Sequence, residues 1–349
     1  MIRLAARRVL RADGSLRPGV VVCEGPRIVA IGEPDPGEAL PDITLAPGLV
    51  DLQVNGFGPF DVGRGSAEHL ASLGNLLARR GTTAWCPTLT SRPLPAYGAW
   101  LADHDTPAPG EIGLHLEGPF LTVPGAHQPE MLRPPDLGWL AALPARVRLV
   151  TIAPELDGAP EAITMLATTG RLVSLGHSHA DLATAAAAAD AGARMVTHTF
   201  NAMSPLHHRR PGLAGAALTN ARLTPAVIGD GVHIHPAVLK LVLSAKPAVL
   251  VSDSVASDSV GSGGAGGARL PDGTLAGSLV TLAEAVRVTV HDAGVPLGVA
   301  LTAATATPAD LIGYSGGRLR PGGPADLVAF GPQLEVAGVW TGGRALAPR

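Results

Sequence analysis

Cysteine is nearly missing from this 349-residue chain: only Cys23 and Cys86 occur, each inside an apolar run and far apart in sequence. Two such residues cannot build a disulfide framework, so both are expected to be buried as small apolar side chains in a reducing compartment. Aromatics are few as well, with 2 Tyr and 5 Phe, and the core must therefore be aliphatic. No apolar run approaches the roughly eighteen residues that a membrane span requires. The opening MIRLAARRVLRADG lacks the continuous apolar stretch of a secretory signal, so a cytoplasmic protein with no membrane partner is expected. Strong charge is missing too: the formal net charge is −3 with 16% charged residues, which provides no basic field for nucleic acid. What remains, at 46% hydrophobic, is the composition of an enzyme-sized globular protein.

The two ends of the chain read differently from its middle. Near the start, GVVVCEG and RIVAIGE flank Pro26 in a hairpin pattern, and near the end GGRLRPGGPADLVAFGP and VAGVWTGGRAL are again strand-sized and punctuated by Gly and Pro. Residues 1–46 and 318–349 are expected to pair into one small flanking β-sandwich domain, leaving residues 47–317 as the central unit. That unit alternates apolar strands with helical stretches: LVDLQV (49–54), TTAWCPT (82–88), EIGLHLE (111–117), VRLVTIA (147–153), RLVSLGH (171–177), RMVTHTF (194–200), AVIGDG (226–231) and AVLVSDS (248–254). The alanine-rich ADLATAAAAADAG has high helix propensity and stops at Gly192. Eight such β/α units predict an α/β fold, a (β/α)8 TIM-like barrel.

Polar residues able to bind metal or move protons recur at the C-terminal ends of these strands. They are Gln53 and Asn55, Glu117, His177, His198, Asp230 followed by His233, and Asp253. In a barrel those ends converge on one face, where active sites form. Histidines 21 positions apart, about one β/α unit, can then stand on neighbouring strands. A single such His is commonly just a polar strand end, but four strands with the same phase point to a site.

At HLEGPF (115–120), GHSHA (176–180), THTFNAM (197–203), LHHRRPGLAG (206–215) and SDS (252–254) the sequence resembles the amidohydrolase superfamily and, within it, the N-acetylglucosamine-6-phosphate deacetylases. PGLVDLQVNG, GTLAGS and GRLRPGGPADLV extend the similarity over nearly the whole chain. The resemblance implies a metal-dependent barrel that removes an acetyl group from a phosphorylated amino sugar. It makes Glu117, His177 and His198 the ligands of one divalent transition metal per chain, zinc first and ferrous iron second. One carboxylate and two imidazoles also leave a place for water. His115 is then expected to orient those ligands, and His179 to be an ordinary helix-start residue. Asp253 matches the catalytic carboxylate, which takes a proton from water and passes it to the departing amine; its bland alternative is a helix N-cap. For substrate binding the resemblance implies Ala126 and His127 near the acetamide, and Asn201, Ala202, Arg209, Asp230 and His233 at the sugar and phosphate. Leu275, Ala276 and Gly277 complete that set. Arg209 would bind phosphate through charge-assisted bonds, across a homodimer interface.

Where many amidohydrolases carry two histidines on the first strand, Gln53 and Asn55 offer neutral amides, which predicts a single metal with the amides hydrogen-bonded to water or filling the vacated place. Two features depart from the family pattern. Arg210 stands where Glu is usual, and SVASDSVGSGGAGGARLPDG after Asp253 is short and Gly/Ser-rich, hence expected to be mobile and to cover the site loosely. Three other readings stay open: N-acetylgalactosamine 6-phosphate as substrate, a different amidohydrolase such as a cyclic-amide hydrolase, and a barrel kept as an assembly scaffold. The last fits poorly with four retained chemical groups.

Overall fold

Eight parallel strands form the centre of the computed structural model, which describes residues 1–257 and 267–346. In chain order they are Leu49–Val54, Thr82–Leu89, Leu114–Glu117, Val147–Ile152, Leu172–Leu175, Met195–Val196, Thr224–Ile228 and Val249–Val251. Each pairs in parallel with the next. The first and eighth close the ring: Val54 bridges Ser254, and the Asp253 N–H donates to the Gln53 carbonyl at 3.0 Å. Every expected barrel strand is present, and the fold is a (β/α)8 barrel. Strands buried on both faces explain why LVDLQV and TTAWCPTL read as nearly unbroken apolar runs, and both are buried along their whole length.

The helices between strands start and stop where local chemistry dictates. In Leu182–Ala191 the Asp181 side chain accepts from the Thr184 N–H at 2.8 Å, the alanines propagate the helix, and Gly192 is its C-cap. Leu282–His291 opens with a reciprocal capping box between Thr281 and Glu284. Among the described residues no helix is long and apolar enough to cross a membrane.

Strands from both termini share one seven-stranded sheet. Its order is Arg344–Leu346, Val336–Thr341, Leu327–Phe330, Thr44–Pro47, Ile2–Leu10, Leu16–Glu24 and Arg27–Gly32. The hairpin expected around Pro26 is there, and the two ends of the chain meet where Leu45 stands opposite Ala329. The sandwich takes the form of a single sheet folded over, rather than two separately bonded sheets. Val21 and Ile28 from one end pack with Leu327 and Ala329 from the other, and the Ala325 N–H reaches the Pro26 carbonyl at 2.8 Å. Folding over gives a small sheet two layers and its own core. Of the segment expected to be mobile, residues 254–273, positions 258–266 lie outside the described residues, as do residues 347–349 of the expected small domain. The flanking piece is a short hairpin, with Arg269 bridging Leu275 and the Ala276 N–H bonded to the Ala268 carbonyl at 3.0 Å.

Candidate active site

Strand register brings the two central histidines together. Ser174 pairs with Met195 and Leu175 with Val196, so His177 and His198 leave adjacent strands at the same height. Both adopt left-handed backbone, φ 51° and 24°, as does Asp253 at φ 48°. This conformation is costly for residues other than Gly, of order 1–3 kcal/mol each. The surroundings hold it because the chain must turn out of the barrel wall there while its side chain stays in the mouth.

Glu117, His177 and His198 are buried, with donor atoms all within 4.8 Å of one another. Glu117 Oε1 lies 3.3 Å from His177 Nε2 and 2.9 Å from His198 Nε2. The Val123 carbonyl, which can only accept, stands 2.7 Å from His177 Nδ1, so that nitrogen carries the proton and Nε2 presents a bare lone pair. Burial pushes Glu117 upward, but the imidazoles of His127, His177 and His198 gathered around it outweigh burial and hold the carboxyl well below the usual range. Burial lowers His177 to about 4, keeping it neutral. At His198 burial pulls the other way from Glu117, and the carboxylate prevails, raising it. An ionised carboxylate with two imidazole nitrogens aimed at one point fits a divalent metal, whose binding displaces the proton otherwise drawn onto His198.

Each first-strand amide meets a carboxylate of the site. Gln53 Nε2 donates to Glu117 Oε1 at 2.9 Å, and Asn55 Nδ2 donates to Asp253 Oδ1 at 2.8 Å. The remaining amide oxygens, Gln53 Oε1 and Asn55 Oδ1, are buried without a hydrogen-bond partner among the described residues. Burial first, and then the negative charge of Glu117, pushes Asp253 up to about 7. That places its titration where a general base works at neutral pH. His127 is held by Ser91, whose N–H donates to Nδ1 at 3.2 Å and whose hydroxyl lies 2.7 Å from the same atom. An imidazole nitrogen that accepts at Nδ1 carries its proton on Nε2. That second nitrogen faces the site, 3.7 Å from Glu117 Oε2.

These groups open onto one cleft of about 660 Å³. Its walls include Ala126, His127, Asn201, Ala202, His233, Leu275, Ala276 and Gly277 beside Glu117, His177, His198 and Asp253. Two glycines permit close approach. A Cβ on Gly125 would lie 3.2 Å from His177 Cε1, and one on Gly277 would lie 2.6 Å from the Asp253 carbonyl; both have positive φ. Leu270 and Thr274–Gly277 bring the hairpin after Asp253 onto the cleft.

Three of the expected residues stand apart from the cleft or from the triad. Arg209 does not line its own chain's cleft: the turn from His207 to Arg210 closes on itself, with the Arg209 N–H on His207 Nδ1 at 3.2 Å, and carries Arg209 to the exposed surface. Asp230 also stays out of the lining, because it faces His233 Nδ1 at 2.6 Å and takes the Val232 and His233 N–H groups at 2.9 Å. It sets the direction of His233 instead of touching the cleft. His115 does not bond the triad; it spans Thr88 and Thr151 beneath it, at 3.3 and 2.8 Å. His179 is exposed near the start of the following helix, as expected.

Ser91, Arg64 and Arg92 were not among the expected residues, yet all three line the cleft. Ser91 and Arg92 sit just past the second strand in PTLTSRP, so the strand-end rule that found the histidines would have included them. Arg92 packs over Tyr97 at 5.5 Å and bonds the Thr90 carbonyl at 3.2 Å. A separate cavity of about 510 Å³ lies between helices Ala67–Arg79 and Leu282–His291 and strand Val336–Thr341, away from all of this chemistry.

Residues 44–346 match the model of the Amidohydrolase family. An N-acetylglucosamine-6-phosphate deacetylase of Danio rerio is 35% identical, covering 86% of this chain and 83% of its own. An N-acetylgalactosamine-6-phosphate deacetylase of Escherichia coli O157:H7 is 34% identical over 98% of both. Among solved structures, the N-acetyl-D-glucosamine-6-phosphate deacetylase of Mycobacterium smegmatis, an aspartate-to-alanine mutant in complex with N-acetyl-D-glucosamine-6-phosphate, superposes with a TM-score of 0.92 at 32% identity. It matches 99% of this chain and 98% of that one. By its closed barrel, its convergent Glu-His-His group and these matches, the chain belongs to the amidohydrolase family.

Proposed function

We propose that this protein hydrolyses the acetamide of N-acetyl-D-glucosamine 6-phosphate to D-glucosamine 6-phosphate and acetate. The observation that carries the reading is one cleft holding Glu117, His177 and His198 together with Asp253 and the inward Nε2 of His127. Glu117, His177 Nε2 and His198 Nε2 would hold one divalent metal, zinc before ferrous iron, whose Lewis acidity makes water a better nucleophile and polarises a carbonyl. Asp253 then takes the proton of the attacking water and returns it to the leaving amine. His127, fixed by Ser91 as an Nε2 donor, faces the carbonyl oxygen as it gains charge. Asn201, Ala202 and His233, the last aimed by Asp230, bind the sugar and its phosphate, and Ala126 and Leu275–Gly277 complete the wall. A partner copy's Arg209 supplies the phosphate with a guanidinium in a homodimer. The cytoplasm is the location we assign, since a phosphorylated sugar does not cross a bilayer unaided.

N-acetylgalactosamine 6-phosphate is the second reading, because the E. coli O157:H7 relative of that name matches over 98% of both chains. The experiment is acetate release from a panel of N-acetylated amino sugars, phosphorylated and not, with and without added zinc. Metal-dependent turnover fastest on N-acetylglucosamine 6-phosphate is expected. Equal turnover of unphosphorylated N-acetylglucosamine refutes the phosphate reading, and faster turnover of the galacto epimer selects the second.

A further inference from the structure

Glu155 follows the fourth barrel strand, half-buried and outside the cleft lining. Its Oε1 accepts from the His179 N–H at 2.7 Å and from the Thr122 hydroxyl at 2.5 Å, and its Oε2 accepts from the Ser178 hydroxyl at 2.6 Å. These donors bracket His177. Ser178 and His179 follow it directly, while the Thr122 and Val123 N–H groups donate to the His177 carbonyl at 3.0 and 2.9 Å. Val123 in turn provides the carbonyl that takes the proton of His177 Nδ1. A histidine at φ 51° is kept there only by what surrounds it. Here both sides of its peptide are tied to one carboxylate.

We propose that Glu155 is a positioning residue for metal binding: it clamps the 122–123 segment against the His177 peptide and so fixes where Nε2 points. The proposal rests on the ligand set proposed above. Three donors on two oxygens suit a carboxylate, which has lone pairs for all of them. Glutamine keeps the Oε1 pair, and the Ser178 hydroxyl can turn to accept from its NH2 group, whereas alanine removes every contact.

The test uses the zinc-loaded enzyme and follows transfer of zinc to a chromogenic chelator, with the melting temperature recorded in parallel. Glu155→Ala should release zinc on the order of tenfold faster, the scale seen when groups orienting a ligand are removed. Glu155→Gln should stay near the parent. If Glu155→Ala does not fold, the pair Thr122→Val and Ser178→Ala removes the two hydroxyl contacts, leaving the His179 N–H bond, and should also release zinc faster. Parent-like release with only a lowered melting temperature overturns the clamp. His177→Ala serves as the reference: rapid loss there alongside normal retention in Glu155→Ala sinks the clamp alone. Normal retention in His177→Ala sinks the ligand assignment and the clamp with it.

Discussion

Gln53 and Asn55 each donate to a carboxylate of the site, and the consequences differ. The Asn55 bond stabilises the ionised form of Asp253, opposing the burial that pushes it up to about 7. Asn55→Ala should therefore raise the Asp253 pKa. Because a general base works only when ionised, the acid limb of the kcat profile should move toward higher pH. A hydrogen bond worth about 1 kcal/mol corresponds to somewhat less than one pH unit. An unmoved limb would remove Asp253 from the role of base. Replacing Asp253 itself separates proton transfer from metal binding. Asp253→Asn keeps the shape and should retain the metal while kcat falls by roughly 10² or more. His198→Ala removes a proposed ligand, so metal content and activity should drop together. Metal analysis of the two variants decides: loss of metal from Asp253→Asn would make Asp253 a ligand.

At the level of elements, the seam between the first and eighth strands carries a buried charge. Asp51 is 1% exposed and accepts from the Ser252 N–H at 3.2 and 3.3 Å and from the Gln53 N–H at 3.3 Å. Burial is the main cause raising its pKa to about 7. An unfolded Asp titrates near ~3.9. The folded chain therefore holds an extra proton between those values, and Asp51 favours folding most at low pH. Its contribution declines as pH rises through that window and is flat above it. Asp51→Asn should flatten this part of the stability curve and be more stable than the parent at pH 8 by a few kcal/mol at most. Thermal melts of both proteins from about pH 4 to 8 test it; parallel curves would mean that Asp51 ionises freely. Across the barrel a second polar layer runs His115–Thr151–Thr197–Ser174, with contacts of 2.8, 2.8 and 2.5 Å. It joins the third to the sixth strand directly beneath the triad, where an all-aliphatic layer would leave His115 Nε2 without Thr151 as its partner.

The whole molecule decides how Arg209 acts. It lies exposed on its own chain, outside the cleft, so its proposed phosphate contact needs a second copy. Arg209→Ala should mainly raise KM, losing on the order of 2–3 kcal/mol of charge-assisted binding. Exchanging subunits between Arg209→Ala and Asp253→Asn gives mixed dimers in which one site has both groups intact. Random mixing should restore about a quarter of the parent kcat/KM. No recovery, with mixed dimers verified by mass, would confine Arg209 to its own chain or to the solvent.

Much of this was legible in the chain because it is local. Apolar runs with Gly and Pro punctuation marked all eight barrel strands, and the 21-residue offset of His177 and His198 is the register of two adjacent strands. The chemical character of Glu117 and Asp253 followed from their place at strand ends, since parallel barrel strands converge there. Only the tertiary structure decided the pairings. Gln53 meets Glu117 across 64 positions and Asn55 meets Asp253 across 198. Ser91 fixes the proton on His127, and Glu155 grips the peptide around His177. Closing the ring sets first beside eighth and stacks one strand's loop on the next, and no spacing along the chain encodes which side chains then come within hydrogen-bond distance. For the same reason LHHRR could announce a basic loop but not that its own turn would carry Arg209 away from the cleft.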